Sequence, residues 1–200
     1  MKRRVPATAL RPLAVLSLLL ASAVPATAKD TFRQWAAPRS AAVTEYQQFL
    51  DRRQVGQVAP MRFLLRSARM WRECHASEFA LAPKEQWPNI VPTLRVVRDL
   101  QAAGLMDAKR VASGFRDRTL NACAGGSTRS RHVSNNALDF ELPASADNVA
   151  RLCKYWRSQG PALKLGLGFY TSTRIHLDTS GFRTWGADHT GKTSLCNPSS

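Results

Sequence analysis

Carboxylates are scarce in this chain. Its 200 residues carry 14 Asp and Glu against 29 Lys and Arg, a formal charge of +15. Such an excess favours anionic partners, yet there is no nucleic-acid motif and the basic residues are scattered, so nucleic acid is not expected among them. Long apolar runs are also missing. The longest, residues 13–20, has eight residues, well short of the roughly 20 that a spanning helix needs. No internal repeat and no low-complexity tract is present, and 44% hydrophobic with 22% charged residues excludes collagen-like, coiled-coil and wholly disordered chains. What is left is one ordinary globular domain long enough to bury a core. Cysteine is limited to four residues with no CxxC pair, which excludes a four-thiolate zinc site and a disulfide-packed miniprotein. The pair Gly166 and Gly168 lacks the strand, glycine loop and helix of a phosphate-binding fingerprint.

The first 28 residues read as a segment apart. Lys2, Arg3 and Arg4 precede the short apolar run, and Ala26-Thr27-Ala28 closes it with small residues. That order is the pattern of a secretory signal peptide cleaved after Ala28; the competing reading is an uncleaved anchor. Cleavage places the protein in the periplasm or outside the cell, with no stable membrane insertion afterwards. It removes four basic and no acidic residues, so 172 residues with a formal charge of +11 remain. The polyanions available to an exported bacterial-type protein are cell-wall polymers and anionic lipids, although solubility alone accounts for charge of this kind.

Cys74, Cys123, Cys153 and Cys196 all follow the signal. Export puts them where disulfides persist, and four cysteines allow three pairings. Spacing leaves all three open. The working pairing is Cys74 with Cys123 and Cys153 with Cys196, the second tying the C-terminal tail to a helix.

Apolar spacing predicts a helix over 41–53 through Val43, Tyr46 and Leu50, and another over 61–71. Residues 75–88 read as a loop. Ile90, Leu94, Val97 and Leu100 mark the clearest helix, over 90–103, with Pro92 in its first turn and Gly104 as its stop. A short strand is expected within 110–116 and a helix over 146–159, with further strands near 163–170 and over 174–178. In 137–142, Leu138, Phe140 and Leu142 alternate with Ala137, Asp139 and Glu141. Helices first and then strands without regular crossovers point to an α+β fold with an antiparallel or mixed sheet. The division expected is a mainly helical extension over 29–88 and a second part over 89–200.

Two clusters carry the chemistry. One runs from Ser130 through His132 to Asp139; the other is Arg174-Ile175-His176-Leu177-Asp178. On a strand, Arg174, His176 and Asp178 share one face, and if the two strands are neighbours His132, Asp139 and His176 converge. Two imidazoles and a carboxylate suit a catalytic zinc, leaving its fourth position for water. The same residues also read as ordinary polar groups at strand edges.

The pattern Ser130-x-His132-x4-Ala137-x-Asp139 resembles the first zinc motif of the zinc D-Ala-D-Ala carboxypeptidase and murein endopeptidase family, and His176-Leu177-Asp178 resembles its second. Ser113-Gly114-Phe115-Arg116 with Asn121 and Gly125-Gly126 is similar to the segment leading into the first motif. Gly168-Phe169-Tyr170 and Phe182-Arg183-Thr184-Trp185 are similar to the segments flanking the second. The likeness spans about residues 89–186. It implies the hedgehog/DD-peptidase fold, a small antiparallel sheet with packed helices. It implies one zinc ion per chain, bound by His132, Asp139 and His176, and peptidoglycan stem peptides cut at a D-amino-acid amide bond, by a carboxypeptidase or an endopeptidase. Ser130 and Asn121 are then expected to bind substrate, or else to satisfy loop backbone. Arg116 is expected to stabilise the oxyanion or to grip a substrate carboxylate. Many members carry an acidic general base three positions before the second ligand histidine; here that position is Thr173. Asp178 is the substitute candidate, with holding a ligand in place as its other role. Asp188 and His189 are weaker candidates, and Trp185 either stacks on substrate or packs in the core. A monomer is expected. The missing acid also motivates another reading, a zinc-stabilised module that binds cell wall or a partner protein without turnover. A third is a disulfide-stapled envelope protein without metal.

Overall fold

The computed structural model describes residues 30–143 and 145–197; the expected signal peptide, residues 1–28, lies outside the described residues. Helices α1 (Thr31–Ala36), α2 (Ser40–Arg52), α3 (Met61–Leu64) and α4 (Ile90–Ala102) precede strand β1 (Val111–Ser113). Helix α5 (Arg118–Cys123), strand β2 (Ala137–Glu141) and helix α6 (Ala146–Leu163) follow, then strands β3 (Gly166–Phe169), β4 (Arg174–Asp178) and β5 (Arg183–Trp185). The fold is α+β, with one five-stranded sheet in the order β1-β2-β4-β3-β5.

The alternation expected in β2 recurs across the sheet. Leu138, Phe140, Leu167, Phe169, Ile175 and Leu177 are buried on one face, in a cluster shared with Leu94, Val97 and Leu100 of α4 and Leu152 and Trp156 of α6. The cluster continues into Tyr46, Leu50 and Trp87, so the apolar core does not stop at residue 88. Helix α4 runs as its spacing predicts and ends before Gly104, which takes a left-handed φ of 66°.

One expectation is corrected. The helix predicted over 61–71 stops at Leu64, because the chain then extends as a rib: Arg66 bridges Phe79, Ser67 N–H donates to Glu78 O, and Gly114 N–H donates to Arg66 O at 2.7 Å. These bonds hold residues 66–68 extended, the chain turns over 69–75, and the helical composition is overridden. The sheet is mixed, one of the two arrangements expected. β1, β2, β4 and β3 pair antiparallel, but β5 lies parallel to β3. After β4 the chain crosses the start of β3, where Gly181 N–H donates to Lys164 O and Arg183 N–H to Leu165 O. It therefore enters β5 from the same end as β3.

Two disulfides close the structure, Cys74–Cys123 and Cys153–Cys196, the working pairing. The second ties the tail to α6, where Arg157 Nη1 also donates to Cys196 O at 2.8 Å. It closes a loop across 43 residues of sequence, for which chain entropy gives about 4 kcal/mol. Cys153→Ala/Cys196→Ala is expected to lose about 2–5 kcal/mol in equilibrium denaturation under oxidising conditions. An unchanged midpoint would contradict the stapling role.

Candidate metal centre

Strand register brings the site together. Antiparallel pairing sets Asp139 of β2 directly opposite His176 of β4, and Ala137 opposite Asp178, and directly opposed residues share a face. His132 comes from the loop before β2, which is clamped from outside. Thr93 Oγ1 donates to Asn136 O at 3.0 Å, Asn89 Nδ2 to Ser134 O at 2.9 Å and Asn135 Nδ2 to Gln86 O at 3.1 Å. The segment after β1 adds Arg116 N–H donating to His132 O.

Three atoms then form a near-equilateral triangle. His132 Nε2 lies 3.1 Å from Asp139 Oδ1 and 3.2 Å from His176 Nδ1, and His176 Nδ1 lies 3.0 Å from Asp139 Oδ1. All three residues are buried. The far side of each imidazole settles its tautomer. His132 Nδ1 is 2.7 Å from Gly114 O, which only accepts, so Nδ1 carries the proton and Nε2 offers a lone pair. His176 Nε2 faces Asp178 Oδ2 at 3.0 Å, and with its proton on that nitrogen Nδ1 offers a lone pair. Three lone pairs thus meet with no proton of their own between them. A zinc ion held tetrahedrally at about 2.0–2.1 Å sets its ligands about 3.3 Å apart, close to the observed edges. The donor set fits zinc by chemistry and by spacing.

Electrostatics agree. Burial raises the Asp139 pKa, but its interactions with His132 and His176 outweigh that and hold the carboxyl well below its ordinary value. Burial pushes His132 down, only partly offset by Asp139, so it stays neutral. For His176 burial opposes charge, yet hydrogen bonds to Asp139 and Asp178 win and its pKa rises.

Each candidate ligand has a second partner. Arg116, buried, donates from Nη2 to Asp139 Oδ2 at 2.5 Å. Asp178, fully buried, receives Arg183 Nη1 at 3.0 Å and Nη2 at 2.6 Å and Ser180 N–H at 2.8 Å. Of the two roles expected for Asp178, this geometry favours holding a ligand in place over acting as general base. Asp178 lies behind His176, away from the triangle, and hydrogen bonds from His176 and Arg183 overcome burial to keep it ionised far below the carboxylate range. It holds His176 in place.

Asn121 is buried and donates to Ser127 O at 3.0 Å, the loop-backbone role among its two expected ones. Ser130, half-buried, sits in the turn before His132, and among the described residues its hydroxyl has no partner. Trp185, also half-buried, lays its ring 5.1 Å from that of His176, so it borders the site.

The sequence reading gave no role to Arg183, Tyr170 or the glycines of β3. Gly168 lies opposite His176 and Gly166 opposite Asp178. A Cβ at Gly168 would stand 2.3 Å from the Trp185 ring, and one at Gly166 would stand 2.6 Å from Arg183 Nη1. Two glycines two apart on a strand were the available signal: a bare face on which other side chains lie. Tyr170 faces Asp139; burial and that carboxylate push its pKa up. His189 sets its ring across Tyr170 at a centroid distance of 6.3 Å. Asp188 is a loop fastener, accepting from Thr190 N–H at 2.8 Å and from the Thr190 and Thr193 hydroxyls.

Zinc must displace the proton from His176, so affinity is expected to fall by about tenfold per pH unit below the pKa of that residue. Arg183→Met is expected to weaken zinc by roughly 10–100-fold at neutral pH, since it loosens Asp178 behind His176. Titration of metal-free protein against a chromophoric chelator reads both. Affinity independent of pH, or unchanged in the variant, would contradict the geometry.

No helix among the described residues is long and apolar enough to cross a membrane. No curated protein and no solved structure matches the chain. The family model described as Peptidase M15 matches residues 65–178, a span holding all three triangle residues together with Arg116 and Asp178. The chain therefore belongs to the Peptidase M15 family of zinc-dependent peptidases.

Proposed function

We propose that this protein is an exported zinc metallopeptidase that hydrolyses D-amino-acid amide bonds in peptidoglycan stem peptides, as a carboxypeptidase or an endopeptidase. The observation that carries the reading is the triangle of lone pairs from His132, Asp139 and His176, inside the span of the family match. Two disulfides support residence outside the reducing cytoplasm. The +11 charge left after removal of residues 1–28 suits a polymer rich in carboxylates.

His132, Asp139 and His176 would hold the ion. Bound zinc supplies a polarised carbonyl and a water of lowered pKa. The chain does the rest. Gly114 O and Asp178 keep a proton on the outer nitrogen of each imidazole, so the inner nitrogens stay ligands. Arg116 fixes the Asp139 carboxylate, and from this position its guanidinium adds positive charge beside the reacting carbonyl. Trp185 and Tyr170 wall the site and limit water. With Asp178 locked behind His176, proton transfer falls to His189, whose ring meets that of Tyr170, which in turn faces Asp139. Its ring is held by a loop in which Gly186 N–H donates to Thr190 O and His189 itself takes a φ of 61°.

The test uses residues 29–200, oxidised and zinc-loaded, with muropeptide dimers and pentapeptide monomers. Chelator-sensitive cleavage is expected, abolished in His132→Ala along with zinc binding. His189→Ala is expected to lower kcat by about 10²–10⁴-fold while zinc content stays at one per chain. Full turnover in His132→Ala would overturn the zinc assignment, and full turnover in His189→Ala would overturn its proton role. The absence of a carboxylate at Thr173 favours the second reading, a zinc-stabilised binding module; zinc and muropeptide binding with no product would select it.

A further inference from the structure

A groove of about 390 Å³ runs along the outer side of β1, the edge strand of the sheet. Its walls are the rib after α3 and the turn entering β1. Arg66, Arg69, Arg72, Lys109, Arg110 and Trp71 line it. Two carboxylates, Glu78 and Glu141, lie in the same groove. None of these seven charged groups comes within 4.0 Å of an opposite charge among the described residues.

That pattern is unlike neutralised surface charge. The five cations repel one another, two carboxylates that form no ion pair with them offset only part of that charge, and the groove keeps a net charge of three positive. The backbone is fastened so that the groove keeps its shape: Arg66 Nη1 donates to Val111 O at 3.0 Å and Arg110 Nε to Glu141 O at 2.8 Å. Arg69 N–H donates to Ser113 Oγ at 3.1 Å, which ties the rib to β1. The Arg72 guanidinium lies over the Trp71 ring at 4.7 Å, a pre-set arrangement of planar donor and aromatic surface. Four of the five cations are arginines, whose forked donors match carboxylates in a way that lysine does not.

We infer that this groove is a second, non-catalytic binding site for carboxylate-bearing glycan, gripping a strand of cell-wall polymer while the metal centre works on a stem peptide. The inference rests on the reading of the substrate as peptidoglycan, and it adds a holding site that the metal centre does not contain. The arginine forks take the carboxylates of the strand and Trp71 gives a sugar ring an apolar surface. The other chemistry that fits such a groove is a phosphodiester polymer attached to the wall.

The test is co-sedimentation of the oxidised protein with purified sacculi in chelator, so that binding is read without turnover. Arg69→Glu/Arg72→Glu/Lys109→Glu is compared with Arg52→Glu/Arg95→Glu/Lys154→Glu, which changes the net charge equally at exposed positions elsewhere. The groove variant is expected to bind at least about tenfold more weakly than wild type, and the control variant within about twofold. Zinc-loaded groove variant is expected to cleave short soluble muropeptides at the wild-type rate. Should the triple variant not fold, Arg69→Gln/Arg72→Gln must give an intermediate loss. Equal loss in the groove and control variants would reduce the effect to net charge and overturn the site. Groove-dependent binding that disappears when wall phosphate polymers are stripped from the sacculi would overturn carboxylate glycan as the ligand. If wild type binds through the groove but cleaves no muropeptide, the groove stands and the peptidase reading fails.

Discussion

Three lone pairs pointed at one place govern this structure. His132 Nε2, Asp139 Oδ1 and His176 Nδ1 sit 3.0–3.2 Å apart in a buried setting. Water cannot screen them there, and their mutual repulsion is relieved only by a positive charge at their centre. A dication answers all three at once. The surroundings make sense as devices that stop the three groups from turning away: a backbone carbonyl behind His132, a guanidinium behind Asp139, and an aspartate with its own arginine behind His176.

The sheet supplies the precision. Register alone sets Asp139 against His176, and a slip of one residue would send each to the apolar face. β3 contributes by omission, since Gly166 and Gly168 leave space over which Arg183 and Trp185 lie. Those two residues come from β5, which reaches its edge position by crossing the start of β3. The parallel pairing of β5 and the fastening of Asp178 are therefore one feature. The helices buttress the opposite face, and the clamps on residues 134–136 transmit that rigidity to His132.

Local pattern carried much of this into view. Alternation in 137–142 and 174–178 placed both strands and their polar face, and 3.6-residue spacing placed α4 almost to the residue. The ligand candidates followed from face-sharing together with a family resemblance. What escaped depends on contacts between distant segments. Residues 65–71 have helical composition, but Arg66 to Ala68 are held extended by Phe79 and Gly114 and the chain then turns. Asp178 shares a strand face with His176, which suggests a base; only the tertiary position of Arg183 reveals that its carboxylate faces away from the triangle. Tyr170 and His189 meet through loop closure around Asp188, which no spacing rule encodes.

The most direct measurement of the central claim is X-ray absorption spectroscopy of the oxidised, zinc-loaded protein at one equivalent. The account predicts a low-coordinate zinc with two imidazoles and one carboxylate oxygen at about 2.0–2.2 Å, and loss of one imidazole signature in His176→Ala. A hydrated zinc with no imidazole scattering, or the same spectrum in wild type and variant, would contradict it.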